Sequence, residues 1–266
     1  MNILEQIAAN KKKELAEVKK QVPLRDLEKF RYFSRTGISL SENILNPAKT
    51  GIIAEFKRRS PSAGIINSEA RIEEVTIGYS SLGASGLSIL TEKKFFGGDV
   101  NDLLVARKVN SIPILRKDFI IDEYQVIESK ANGADAILLI ASLLTRKQVH
   151  RMSSLARSIG LQVVLEVHDA QELEKLNEFI DIAGVNNRNL RTFKVDTELS
   201  LELAEKIPEG FVKISESGIS SSDTIYILKQ AGYDGFLIGE RFMHSGDPVN
   251  SFSVFIKTLR REYAED

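Results

Sequence analysis

The chain has 266 residues, enough for one large α/β domain or two ordinary ones, and its hydrophobic (42%) and charged (27%) shares are those of a soluble globular protein. A formal charge of -1, with no long one-signed block, leaves nonspecific nucleic-acid binding without electrostatic support. The absence of cysteine excludes disulfides and thiolate chemistry, and no window approaches the roughly 18 consecutive apolar residues that a membrane span requires.

The N-terminus lacks the apolar core of a secretory signal, and its acidic residues argue against a transit peptide, so a cytoplasmic location is expected. Residues 1–48 read as an N-terminal helical extension. Ile3, Leu4, Ile7, Leu15 and Val18 recur at helical spacings, and Pro23 separates them from a second helix containing Leu24, Leu27 and Phe30. These helices are expected to pack on the remaining domain and close one of its ends; a flap over a ligand is the alternative. Lys11-Lys12-Lys13, flanked by Glu5, Glu14 and Glu17, reads as a solvated helix face.

From residue 49 onward, apolar and often β-branched runs occur at about 51–56, 87–91, 112–116, 136–141, 162–167, 181–186, 211–215 and 235–239. Helical patterns alternate with them at about 70–82, 100–110, 122–132, 145–159, 169–179, 197–206, 220–231 and 249–263. Such alternation implies right-handed βαβ crossovers and a parallel sheet. The junctions Gly83-Ala84-Ser85-Gly86, Gly133-Ala134-Asp135-Ala136 and Gly232-Tyr233-Asp234-Gly235 place glycine where a helix ends in the left-handed conformation. Eight units without a linker favour a single α/β domain over 49–266, a closed (β/α)8 TIM barrel, over a doubly wound sheet.

In such a barrel the C-terminal strand ends carry the active site. Several apolar runs here end abruptly in charge. That face would hold Glu55 and Lys57, Lys117, Glu166, Asn186 and Arg188, and Ser217. Two lysines, two carboxylates, an amide and an arginine converge there; a structural ion-pair network is the bland alternative. Arg116, of opposite parity to Lys117, is expected to face away. Lys213 shares parity with Ser217 and is expected inside the barrel, where it would need a carboxylate partner. Ser217-Gly218-Ile219 and Ile238-Gly239-Glu240 end the last two strands, where barrels commonly bind phosphate through backbone N–H groups. The separated histidines, His150, His168 and His244, form no metal-spacing motif and read as ordinary surface residues, so no metal site is expected.

The segments IIAEFKRRSPSAG (51–64), LSILTEKKFFGG (87–98), PILRKDFI (113–120), LEVHD (165–169), GVNNRNL (184–190), SESGI (215–219) and FLIGE (236–240) occur in an order that resembles the indole-3-glycerol phosphate synthase family of tryptophan biosynthesis. The resemblance implies closure of an indole ring on an anthranilate-linked deoxyribulose phosphate, with loss of carbon dioxide and water and no cofactor. It implies that Lys117 is the general acid at the keto oxygen and Glu166 the group for later proton transfers. Lys57 would bind the substrate carboxylate, with Arg188 near it; Glu55, Asn186 and Ser217 would complete the polar site. Ser60, Gly218, Gly239 and the backbone of Glu240 would hold phosphate. Phe96, Phe119, Leu138, Ile140 and Leu190 would line the aromatic pocket. Ser215 stands where alanine is frequent in the family, and Arg241-Phe242 replaces smaller residues; the latter is expected to bear on the phosphate loop. Other readings are a phosphosugar isomerase, a Schiff-base aldolase or a non-catalytic phosphate-ligand barrel. The expected partner is a small phosphorylated molecule, not nucleic acid or membrane. No sequence feature marks a subunit interface, and with so few residues after the eighth helix no fused second enzyme is expected.

Overall fold

A computed structural model describes residues 3–190 and 192–262. Eight parallel strands close a barrel in the order β1 (Ile52–Phe56), β4 (Gly86–Leu90), β5 (Ile114–Lys117), β6 (Ala136–Ile140), β7 (Gln162–Val167), β8 (Ile182–Asn186), β9 (Val212–Glu216) and β10 (Gly235–Ile238), which returns to β1. Two further strands, β2 (Arg59–Ser60) and β3 (Gly64–Ile65), pair antiparallel in a small hairpin over the mouth, which the sequence pattern does not show. The β-branched and leucine runs form the barrel because both faces of each strand are covered: one by the barrel interior, the other by the outer helices.

The outer layer consists of α4 (Ile72–Ser81), α5 (Val100–Val109), α6 (Glu123–Ala131), α7 (Arg146–Ser158), α8 (Glu198–Ala204), α9 (Ser222–Gln230) and α11 (Pro248–Glu262), with a one-turn helix, α10 (Glu240–Met243), after β10. Side-chain caps from Asp99, Asp122, Thr145 and Ser221 fix where four of these helices begin. Gly83, Gly133 and Gly232 have φ of 93°, 90° and 92°, the left-handed junctions expected. The expected helix over 169–179 is replaced by a single 3₁₀ turn, Glu172–Lys175. There the Glu172 carboxylate accepts from the His168 N–H and Asn177 accepts from the Phe179 N–H, side-chain bonds that compete with helix propagation. The last helix agrees with expectation up to Glu262; residue 263 lies outside the described residues.

The N-terminal extension contacts both ends of the barrel. α1 (Ile3–Gln21) buries Leu4, Ile7, Lys11 and Leu15. Its Lys11 ammonium lies 3.0 Å from a carboxylate oxygen of Asp118, just beyond the C-terminal end of β5. This corrects the reading of Lys11-Lys12-Lys13 as a uniformly solvated face: Lys12 and Lys13 are exposed, whereas Lys11 is buried because a buried carboxylate draws it in. The second helix shrinks to one turn, α2 (Leu24–Leu27), with Leu27 buried but Leu24 and Phe30 exposed. A third helix, α3 (Leu40–Leu45), was not legible in the sequence. It places Leu40 against Gly86 and Ile44 against Gly235, sealing the N-terminal strand ends. No helix among the described residues is long and apolar enough to cross a membrane.

Candidate active site

Inside the barrel the period of two selects Ile53, Leu115, Leu138, Val164, Ile182, Ile214 and Leu237 as apolar layers. The same parity, continued toward the C-terminal ends, turns Glu55, Lys117, Glu166, Asn186 and Glu216 into one cavity of about 550 Å³. All sixteen site residues expected from sequence line this cavity, from Glu55, Lys57 and Ser60 to Gly239 and Glu240.

Lys117 is the central cation. Its Nζ donates to Glu166 Oε2 at 2.7 Å and lies 3.3 Å from Glu216 Oε2. Burial opposes its charge, but Glu166, Glu216 and Glu55 outweigh that penalty and hold its pKa above the usual lysine value. Burial likewise favours the neutral form of Glu166. Lys117, His168 and hydrogen bonds from Lys117 and Asn186 reverse this and hold its pKa below the usual carboxylate value. Lys57 Nζ donates to Glu55 Oε1 at 2.7 Å, and the other Glu55 oxygen accepts from Ser88 Oγ at 3.4 Å. Glu55 on β1 and Lys57, one residue past its end, therefore both point inward, as their spacing requires.

Glu216 is the cavity carboxylate that the sequence pattern does not single out. Ser217 was read as the inward end of strand seven, and Lys213 as an interior residue of the same parity. The interior series on β9 is instead Val212, Ile214 and Glu216. Lys213 faces the outer layer, where its Nζ donates to the Ala204 carbonyl at 2.8 Å. Ser217 lies beyond the strand at φ 67°, where the two-residue alternation no longer applies. The usable signal was the run of inward apolar residues, which fixes parity before the strand end. Gly184 on β8 makes the room: a Cβ there would lie 2.7 Å from Glu216 Oε1. Gly239 does the same for Glu55, at 2.7 Å from its Oε1.

Burial raises the Glu216 pKa to about 7, with Glu166 and Glu55 adding to the rise and Lys117 opposing it. A carboxylate whose folded pKa is raised contributes its stability below the ordinary value of 4.5 and loses it as pH climbs toward about 7. Glu216→Gln, which resembles the protonated form, is therefore expected to be more stable than the parent at pH 8 by on the order of 1–3 kcal/mol. That advantage disappears near pH 5. Urea denaturation at both pH values checks this, and a gain independent of pH would refute it.

An apolar wall faces the charged groups. Phe96 and Phe119 lie with ring centroids 5.7 Å apart, and Leu138, Ile140 and Leu190 extend the surface. Glu92, fully buried, accepts from the Phe95 and Phe96 N–H groups and so fixes the loop that carries Phe96. At the opposite rim, Ser60, Gly218, Gly239 and α10 surround the other end of the cavity. The Glu240 carboxylate is engaged by Arg188 Nη2 at 3.1 Å, while Arg188 Nη1 reaches Ser62 Oγ at 3.2 Å. Arg241 borders the cavity; Phe242 turns into the outer layer against Tyr79, Phe252 and Phe255. Ser215 bonds Ser200 and Asn187 behind the sheet, away from the cavity. Arg116 points outward, as expected, to Asp118 and Glu128. Of the histidines, His150 and His244 are exposed, but His168 is largely buried, its side chain 15% accessible, because Glu166 and Glu172 flank it.

Fold and site together define the class: a (β/α)8-barrel enzyme with its charged mouth at the C-terminal strand ends. Residues 4–255 match the profile of the indole-3-glycerol phosphate synthase family. An indole-3-glycerol phosphate synthase of Bacteroides thetaiotaomicron is 45% identical over 260 residues, covering 97% of this chain and 99% of the relative. One from Thermoanaerobacter pseudethanolicus is 41% identical over 259 residues, covering 97% and 98%. The barrel also superposes on 3-hexulose-6-phosphate synthase of Salmonella typhimurium (TM-score 0.60, 16% identity, 80% of this chain and 99% of that one), which shows the shared fold. The chain belongs to the indole-3-glycerol phosphate synthase family.

Proposed function

We propose that the protein converts 1-(2-carboxyphenylamino)-1-deoxyribulose 5-phosphate to indole-3-glycerol phosphate, and that the sixteen cavity residues named from sequence, with Glu216, carry the reaction. The observation that carries this reading is the Lys117–Glu166 pair, 2.7 Å apart at the boundary between a charged and an apolar wall. The anthranilate ring fits between Phe96, Phe119, Leu138, Ile140 and Leu190, with its carboxylate toward Lys57. Ser60 and the backbone at Gly218, Gly239 and Glu240 take the phosphate. Arg188 neutralises the Glu240 side chain, so the anion meets backbone donors and not a bare carboxylate.

Attack of the carboxylate-bearing ring carbon on the ketone forms the new C–C bond and places negative charge on oxygen. The Lys117 ammonium stabilises that charge and transfers its proton. Loss of carbon dioxide returns an electron pair to the iminium and restores the aromatic ring. The tertiary hydroxyl then takes a second proton, from Lys117 recharged from solvent, and leaves as water while the adjacent methylene gives up a proton. Glu166, held ionised beside Lys117, accepts that proton, and its contact with Lys117 offers a route to recharge the lysine. Glu55 orients Lys57, Glu55 and Glu216 help to hold Lys117 charged, and Asn186 fixes Glu166. Ser217 presents its polar side chain at the rim, beside the phosphate loop.

Purified protein is expected to turn over this substrate into a fluorescent indole product. No turnover by correctly folded protein would refute the assignment, and a borohydride-trapped lysine adduct would favour a Schiff-base aldolase instead. A cytoplasmic setting accords with the cysteine-free sequence.

A further inference from the structure

His168 is a buried titratable group that the reaction scheme leaves unused. It follows β7 directly, and its ring stands between two carboxylates: Nε2 lies 3.4 Å from Glu166 Oε1, and Nδ1 lies 3.6 Å from Glu172 Oε2. Neither ring nitrogen has a hydrogen-bond partner at these separations. The Glu172 carboxylate is fixed by the His168 backbone N–H at 2.7 Å, so it cannot swing away from the ring. Glu216, on β9, adds a third negative group to the same surroundings. The cation on this side of the barrel, Lys117, grips the other oxygen of Glu166.

The charge balance of the mouth sharpens the point. Glu55, Glu166 and Glu216 face two ammonium groups, Lys57 and Lys117, so one negative charge is uncompensated once Glu216 has lost the proton it holds up to about pH 7. A buried excess charge is costly unless a proton or a cation meets it.

We infer that His168, as an imidazolium, is a positioning residue that steadies the Oε1 side of Glu166 and keeps this carboxylate ionised and aimed at the substrate. This rests on the acid–base role given to Glu166 above. Burial alone would discharge the ring, but Glu172, Glu166 and Glu216 outweigh it and raise its pKa. Below that pKa the imidazolium stabilises the Glu166 anion. Above it the ring is neutral, and the parent enzyme itself lacks the support.

Two measurements test this. The first compares the pH dependence of kcat for the parent and His168→Gln. The parent is expected to be about twofold or more faster near pH 4.5, where a rise of roughly one pKa unit on Glu166 lowers its ionised fraction several-fold. The two curves are expected to converge near pH 9. A ratio that stays constant across this range would mark a merely structural role and overturn the inference. The second measurement needs no activity: the chain has three histidines, so NMR titration with His150→Gln and His244→Gln assigns each ring. His168 is expected to titrate above the ordinary histidine value of 6.5, and Glu166→Gln is expected to lower its pKa. A His168 pKa unchanged by Glu166→Gln, or below 6.5, would overturn the inference even if the enzyme proved to act on another substrate.

Discussion

Lys117→Met is expected to lower kcat by about 10²- to 10⁴-fold while KM changes little. Methionine keeps most of the buried stem but supplies no proton. Lys57, the phosphate rim and the rest of the apolar wall lie on other strands and loops, and Phe119 stays fixed by Asp118, so substrate binding survives. The deletion also removes the cation shared by Glu166 and Glu216. Both carboxylates are then expected to hold their protons more tightly, which limits the stability loss in acid and enlarges it toward pH 8. Steady-state kinetics with matched denaturant melts separates the two effects. A kcat within about threefold of the parent would remove Lys117 from the acid role.

The largest loss of stability is expected from Asp118→Asn, about 3–5 kcal/mol, the cost of breaking a buried ion pair by removing one partner. One carboxylate oxygen meets Lys11 at 3.0 Å and the Phe119 N–H at 2.8 Å; the other meets Thr91 Oγ1 at 2.6 Å and Arg116 Nη2 at 3.1 Å. Burial disfavours the anion, but Lys11 and Arg116 outweigh it and depress its pKa to about 2. A depressed carboxylate contributes its stability above the ordinary value of 3.8 and loses it as pH falls toward about 2. The gap between parent and variant is therefore expected to be full at pH 7 and to narrow below about pH 4. Urea unfolding across that range measures it, and an equal gap at both ends would refute the assignment. Because Asp118 also fixes the Phe119 backbone, activity is expected to fall with stability.

The barrel was legible because its signal is repeated: eight apolar runs alternating with helical patterns, punctuated by glycine junctions that adopt the left-handed conformation. The site was legible wherever a charge directly ended an apolar run, as at Glu55, Lys117 and Glu166. Legibility failed where partners are distant in sequence. Nothing in the local pattern around Lys11 announces Asp118 as a buried neighbour; His168 has its partners nearby in sequence, at Glu166 and Glu172, but an isolated lysine or histidine reads as surface by default. On β9 the failure was local: Ser217 was taken as the strand end, and one residue of slip moves every side chain to the opposite face. The one-turn α3 was invisible because Leu40 and Ile44 make too short a pattern to separate from a loop.

That short helix has a consequence for how the molecule comes into being. Arg35 and the Ile38 N–H bind Asp135, the Leu40 and Ser41 N–H groups bind the Gln162 side chain, and Ile44 rests on Gly235. A ribosome delivers residues 35–45 long before these partners exist. The plug must wait, with its apolar side chains unsheltered, until the last strand arrives to complete the ring. Closure of the wall and sealing of the floor thus become a single late event in synthesis, and a nascent chain stalled before residue 235 carries an exposed apolar segment that a chaperone can hold.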